Sequence, residues 1–324
     1  MKLASLDDGT RDGQLIVVDG DGARYTPATS IAPTLQAAID TWRQSHEALG
    51  HLSERLTSGA VEGHMLDETK LLAPLPRAYE WVDASAYVNH VRLVRMARGA
   101  ALPPGLLEDP LIYQGGSGVL LGARSPVPLP NTAWGLDFEG EISVILGDVA
   151  RGLSAREAEP RILLVMLAND LSYRNLIPAE LAKGFGFFAS KPATAYSPFA
   201  VTPDELGSAW AEGRVHGELC CYVNDRQVGR ANAGVGMQFS FFDLIAHIAK
   251  TRAFTAGTIL GSGTVSNEDE ASGGSCIAEL RARETIKHGT PSTPFLAAGD
   301  WVRIELVVDG KKPLGSIEQE VVTA

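Results

Sequence analysis

The sequence predicts an α+β chain that is mainly β. Three features point there: short runs of β-favouring residues recur along the chain, glycine is frequent (34 of 324 residues), and helical patterns are few. Strands interrupted by occasional helices do not fit an alternating doubly wound sheet. The length corresponds to about two domains at ~150 residues each. A chain this long can bury a core without a disulfide or metal.

The first thirty residues read as short strands, with apolar Leu15–Val18 followed by the turn-forming Asp19-Gly20-Asp21-Gly22. Leu35, Ile39, Trp42, Leu49, Leu52 and Leu56 then recur at helical spacing. Pro74 and Pro76 break the chain, which places a boundary near Leu72: a small N-terminal β domain with a helix over 1–72, and a larger domain over 73–324. Within the larger part, Ile142–Leu146 and Trp301–Val308 read as strands, and Glu218–Val228 as a hairpin turning at Asn224-Asp225. Helices are expected at Ala155–Leu167 and Phe241–Arg252. No fixed-period repeat is evident.

Composition narrows the function classes. A 45% apolar and 21% charged chain is ordinarily globular, which argues against disorder. The net charge of −11 repels phosphate backbones, so nucleic acid is not expected as a partner. The longest apolar stretch, Ile162–Ala168, is far short of the ~20 residues of a membrane helix. The N-terminus lacks a long apolar signal region. Cys220, Cys221 and Cys276 match no zinc spacing or secreted disulfide framework, and read as reduced core residues. The expectation is a cytoplasmic protein without membrane association.

Candidate chemistry begins with carboxylates. In a strand through Asp137-Phe138-Glu139-Gly140-Glu141, alternation would point the three acids to one face, and Phe138, Ile142 and Val144 to the other with Gly140. Three buried anions side by side repel, so either a cation sits among them or the face is wet. A divalent ion with oxygen ligands is one answer; a solvated acidic face is the other. The apolar run ending in Asn169-Asp170 brings another acid to the end of a buried-looking element, where a turn aspartate is the alternative. If Asp83–Arg98 were helical, Asp83 and His90 would share one face two turns apart; a capping aspartate and an unrelated histidine is the plainer reading. Gly261-Ser262-Gly263-Thr264 is glycine-rich but lacks the P-loop Lys, and is either a plain turn or a backbone cradle for an anion. Nucleophile-elbow and zinc-helix motifs are absent from the sequence.

Taken in order, these segments resemble the fumarylacetoacetate hydrolase family over roughly residues 72 to 322. The marks are Asp83…His90, Tyr113 in Leu111–Gly116, Asp137–Glu141, Asn169–Asn175, Phe187–Lys191, Gly261–Thr264 and Glu279. Ser85-Ala86-Tyr87-Val88-Asn89-His90 is most similar to the bacterial fumarylacetoacetate hydrolases. The resemblance implies a β-roll catalytic domain beside a barrel-like N-terminal domain, and a homodimer. It implies a magnesium- or calcium-dependent hydrolase, manganese being an alternative, that cleaves a carbon–carbon bond of a 1,3-diketo acid late in tyrosine breakdown. Its metal ligands would be Asp83, Glu139, Glu141 and Asp170. His90 would be the general base oriented by Glu279, and Lys191 would neutralise charge on substrate oxygens. Tyr113 and Thr264 would position the substrate, and Arg98, or Arg95 in its place, would bind its carboxylate. Two departures stand out. Asn175 occupies a position that is acidic in the family, and Ile177–Phe185 lacks the substrate-contacting Gln and Tyr of the animal enzymes. Relatives on the same scaffold hydrolyse acylpyruvates, decarboxylate oxaloacetate or dehydrate sugar acids. A non-catalytic metal-binding scaffold is the remaining alternative.

Overall fold

A computed structural model describes residues 1–102 and 104–324. Among them, eleven strands form one sheet. Its path runs His64–Met65, Arg24–Pro27, Gln14–Val18, Lys2–Leu6, Ala200–Val201, Ile162–Asp170, Gly140–Leu146, Ile259–Gly261, Trp81–Ala84 and Ile112–Gly115, with Thr194–Tyr196 also pairing to Ile162–Asp170. A second sheet runs Arg226–Asn232, Glu218–Val223, Trp301–Val307, Ser316–Thr323 and Val127–Leu129. The helices are α1 (Leu35–Asp40), α2 (Trp42–Thr57), α3 (Val88–Ala97), α4 (Ile177–Leu181), α5 (Phe241–Ile248) and α6 (Ile277–His288). The mainly β expectation is met. None of these helices is long and apolar enough to cross a membrane.

The large sheet is covered on both faces. Alternation along Ile162–Asp170 sends Leu164, Met166 and Ala168 to a core shared with Leu35, Ile39, Leu49 and Leu56 of α1 and α2. Val165 and Leu167 go to a core shared with Leu219, Cys221 and Ile304 of the second sheet. Burial on both faces removes the polar half of the strand pattern. Without that alternation the residue pattern over 155–167 predicts a helix, and the structure instead has two 3-10 turns followed by a strand. Ser154 and Glu157 cap a 3-10 turn at Ala155–Glu157, a second follows at Glu159–Arg161, and the strand starts at Ile162. Pro160 lacks the N–H that a continuing helix requires.

Other elements match more closely. The Asn224-Asp225 turn carries positive φ at both residues, 50° and 62°, as a two-residue hairpin of matching twist requires. Phe241–Ile248 starts at a capping box between Ser240 and Asp243 and stops four residues earlier than expected. The N-terminal strands close no barrel among the described residues. Lys2–Leu6 pairs with Gln14–Val18 on one edge and Ala200–Val201 on the other, so the second edge is taken by the larger part of the chain.

Candidate active site

The pocket forms at one end of the central strands, in a cavity of about 300 Å3 lined by Asp83, His90, Glu139, Glu141, Lys191 and Thr264 among others. Its floor is acidic. Asp83, Glu141 and Asp170 come from three strands of the large sheet, and their ligand atoms lie within 4.8 Å of one another. Asp83 thus stands on the strand Trp81–Ala84, and α3 begins only at Val88. This corrects the helical interval for Asp83 and His90: both reach the pocket, but a strand–turn–helix corner brings them there.

Glycine makes the convergence possible. A Cβ on Gly261, which pairs with Asp83, would stand 2.3 Å from Asp83 Oδ1. Gly263, at φ +76°, would place one 2.1 Å from the Ala84 carbonyl oxygen, and its N–H donates to Asp83 Oδ1 at 3.1 Å. Gly140, between the two glutamates, would meet Cys221 Sγ of the second sheet at 2.8 Å. The loop Gly261–Thr264 therefore braces Asp83, and Thr264 also lines the pocket.

The three acids of Asp137–Glu141 do not share one environment, because the strand pairing is interrupted between Asp137 and Gly140. Phe138, Ile142 and Val144 do join one core cluster, as alternation requires. Asp137 accepts the N–H groups of Ile277 (2.7 Å) and Ala278 (2.9 Å) at the start of α6, and the Nε–H of Arg174 at 2.7 Å. Glu139 Oε1 accepts from Arg174 Nη2 at 2.7 Å, and its Oε2 from Lys191 Nζ at 2.6 Å. Burial pushes the Glu139 carboxyl up, but Arg174 and Lys191 outweigh it and hold the carboxyl far below the usual range. Glu141 is fully buried and neither oxygen has a hydrogen-bond partner among the described residues.

Asp170 is the best supported acid. Thr194 Oγ1 donates to Oδ1 at 2.8 Å; Tyr113 Oη and Lys191 Nζ donate to Oδ2, each at 2.6 Å. Tyr113 pairs opposite Asp83, and its hydroxyl is already committed to Asp170, so it offers a ligand chiefly its ring. Burial, then the Asp83 and Asp170 charges, push Glu141 well up; burial and Asp170 do the same to Asp83. Buried hard oxygen donors, two of them unpartnered among the described residues, suit a divalent cation such as magnesium, manganese or calcium. The donor set Asp83, Glu141 and Asp170 therefore fits the divalent metal that the family resemblance implied.

Beside the floor, His90 Nδ1 lies 2.7 Å from Glu279 Oε1. A carboxylate oxygen here accepts from an Nδ1–H, so the contact orients the imidazole and leaves Nε2 as the ring nitrogen free of Glu279. His90 sits on α3 and Glu279 in the first turn of α6, and the two helices pack together. Arg98, at the end of α3, and Arg95 both line the pocket. Arg95 donates to the Ala101 carbonyl, and neither Arg95 nor Arg98 has an acidic partner within 4.0 Å among the described residues.

Every residue expected to bind metal, transfer a proton or contact substrate lies at this pocket or in contact with its lining. Arg174 bridges Asp137 and Glu139 and carries no expectation from the sequence, although buried acids side by side call for a cation. Thr194 left no signal, since a threonine in a short strand is ordinary. Asn175 faces away and donates to the Ala133 carbonyl at 2.8 Å.

Comparison with known proteins adds the lineage. An oxaloacetate tautomerase of Homo sapiens is 23% identical over 257 residues, covering 76% of this chain and 74% of the relative. A fumarylacetoacetase of Aspergillus fumigatus is 25% identical over 316 residues, covering 83% and 70%. The structure of maleylpyruvate hydrolase from Sphingobium sp. SYK-6, in complex with manganese(II) and pyruvate, superposes with a TM-score of 0.66 at 18% identity, covering all of both chains. The model of the fumarylacetoacetase N-terminal domain 2 matches residues 1–77, and that of the fumarylacetoacetate hydrolase C-terminal domain matches residues 80–322. The chain belongs to the fumarylacetoacetate hydrolase family.

Proposed function

We propose that this chain hydrolyses the carbon–carbon bond of fumarylacetoacetate, releasing fumarate and acetoacetate. The observation that carries the reading is the 2.7 Å His90–Glu279 contact beside the unpartnered carboxylate of Glu141. A base held by a buried acid, next to an acid cluster suited to a cation, is what water activation at a polarised carbonyl requires.

Asp83, Glu141 and Asp170 would hold a divalent cation, with Glu139 beside them as the fourth ligand proposed although both its oxygens accept from Arg174 and Lys191; magnesium or calcium is proposed, with manganese the alternative. Bound there, it would supply Lewis acidity toward carbonyl oxygens of the diketo acid. His90 Nε2 takes a proton from water, and Glu279 fixes the imidazole tautomer and stabilises its charged form. The hydroxide so formed adds to the acyl carbon, and Lys191 stabilises negative charge developing on oxygen. When the carbon–carbon bond breaks, the acyl half leaves as fumarate. The proton on His90 is then available to the departing carbon, which completes acetoacetate. Arg98, or Arg95 in its place, binds a substrate carboxylate; Thr264 and the Tyr113 ring position the chain of the substrate. A homodimer belongs to the same proposal and is read by light scattering.

A second reading is turnover of oxaloacetate, or hydrolysis of another 1,3-diketo acid such as an acylpyruvate. The tautomerase and maleylpyruvate hydrolase relatives support it, because the acid floor serves either reaction. Turnover of fumarylacetoacetate, acylpyruvates and oxaloacetate, each with magnesium and with chelator, separates the readings. Metal-dependent loss of fumarylacetoacetate with release of both products is expected. Turnover of another member alone would move the substrate assignment.

A further inference from the structure

Lys191 reaches its place between Glu139 and Asp170 from a loop, not from a sheet strand, so something must hold that loop. Glu180, near the end of α4, turns its carboxylate onto it. Oε2 accepts the N–H of Phe188 at 3.0 Å, the N–H of Ser190 at 3.1 Å and the Ser190 hydroxyl at 2.5 Å, while Oε1 accepts the N–H of Ala189 at 2.6 Å. Four donors converge on one carboxylate, three on Oε2 and one on Oε1. Three of them are consecutive backbone N–H groups, so the carboxylate fixes the loop backbone itself. The far end is tied as well, since the Ser190 carbonyl accepts the Tyr173 N–H at 2.8 Å. The next residue is Lys191, whose ammonium lies 5.3 Å from the Tyr113 ring centre and 5.8 Å from that of Phe187. Burial pushes the Glu180 carboxyl up, but these hydrogen bonds outweigh it and hold it at about 2, so the clamp stays ionised at any ordinary working pH.

We propose that Glu180 is a positioning residue: by clamping residues 188–190 it sets the Lys191 ammonium between Glu139 and Asp170. Without the acceptor, three adjacent N–H groups turn to water and the loop loses its single conformation. Only the kinetic consequence rests on the reaction proposed above; the placement of Lys191 does not.

The test is amine labelling of the native protein with trinitrobenzenesulfonate, followed by peptide mapping, in wild type, Glu180→Ala, Glu180→Gln and Ser190→Ala. In wild type the Lys191 side chain is 8% exposed and resists labelling, while exposed Lys250 reacts. Glu180→Ala is expected to raise labelling at Lys191 several-fold and leave Lys250 unchanged. Glu180→Gln, which keeps an acceptor oxygen, gives partial protection. Ser190→Ala, which removes one bond of four, gives nearly full protection; Glu180→Gln carries the test if Glu180→Ala fails to fold. With a turned-over substrate, kcat of Glu180→Ala falls about 10–100-fold, with the loss in kcat exceeding the change in KM. Equal Lys191 labelling in wild type and in the folded Glu180 variants would overturn the proposal. If wild type turns over no fumarylacetoacetate, the substrate reading fails, and the labelling result still decides the clamp.

Discussion

Asp83, Glu141 and Asp170 stand on strands locked into a sheet, whereas His90 and Glu279 stand on two helices, α3 and α6, that pack against each other. The floor is fixed by backbone register. Glu141 lies opposite Ala168, Gly261 opposite Asp83, and glycines open the space between. The dyad is fixed by one side-chain contact of 2.7 Å and by Asp137, which receives the first N–H groups of α6. The difference teaches a division of labour. A cluster of like charges needs a rigid frame, because each anion would move away from the others if it could. A proton-transferring base needs only orientation and access to the pocket. Damage to the floor should therefore remove metal and turnover together, while damage to the dyad should remove turnover alone.

The largest expected effect is at the floor. Glu141→Gln keeps shape but removes a charge, and should lower turnover by about 10³-fold, measured at saturating magnesium. His90→Ala should follow with a loss in kcat of about 10²–10³-fold, while the melting temperature still falls on adding chelator. Full activity in that variant would break the comparison. Glu279→Gln keeps the imidazole but loses its charged partner, so a milder loss of about 10–100-fold is expected in kcat. Smallest is an effect away from the pocket. Glu284, on α6, accepts from the Ser292 and Thr293 N–H groups and the Thr293 hydroxyl. Burial raises its carboxyl, but these bonds outweigh it and hold it at about 2. Its folded value is depressed, so the stability it adds is present above the unfolded range near 4.5 and is lost as pH falls toward 2. Glu284→Gln should melt about 1–3 °C lower at neutral pH, with the gap closing in acid.

Much of this was legible in the residues, but unevenly. Alternation around Gly140 placed Phe138, Ile142 and Val144 correctly, because one face of that strand is apolar and the other acidic. It failed for Asp137, since pairing is interrupted just after it and no local pattern shows an interruption. Ile162–Asp170 was misread at its start because a strand buried on both faces has no alternation to display. Asp83 and His90 were rightly paired for a wrong reason: one interval of seven fits a helix face or a strand–turn–helix corner, and spacing alone does not separate them. Arg174 and Glu180 act through contacts 35 and 8–10 residues away in sequence, which no single segment reveals. The ordered set of motifs did what spacing could not, because shared ancestry constrains all the segments at once.

The most direct test of the central claim is calorimetric titration of manganese into wild-type protein, Glu141→Gln and His90→Ala. The account predicts stoichiometric binding to wild type, unchanged affinity in His90→Ala, and loss of the binding isotherm in Glu141→Gln. Wild-type affinity in Glu141→Gln, or its loss in a folded His90→Ala, would contradict the separation of an acid floor that holds the ion from a dyad that moves the proton.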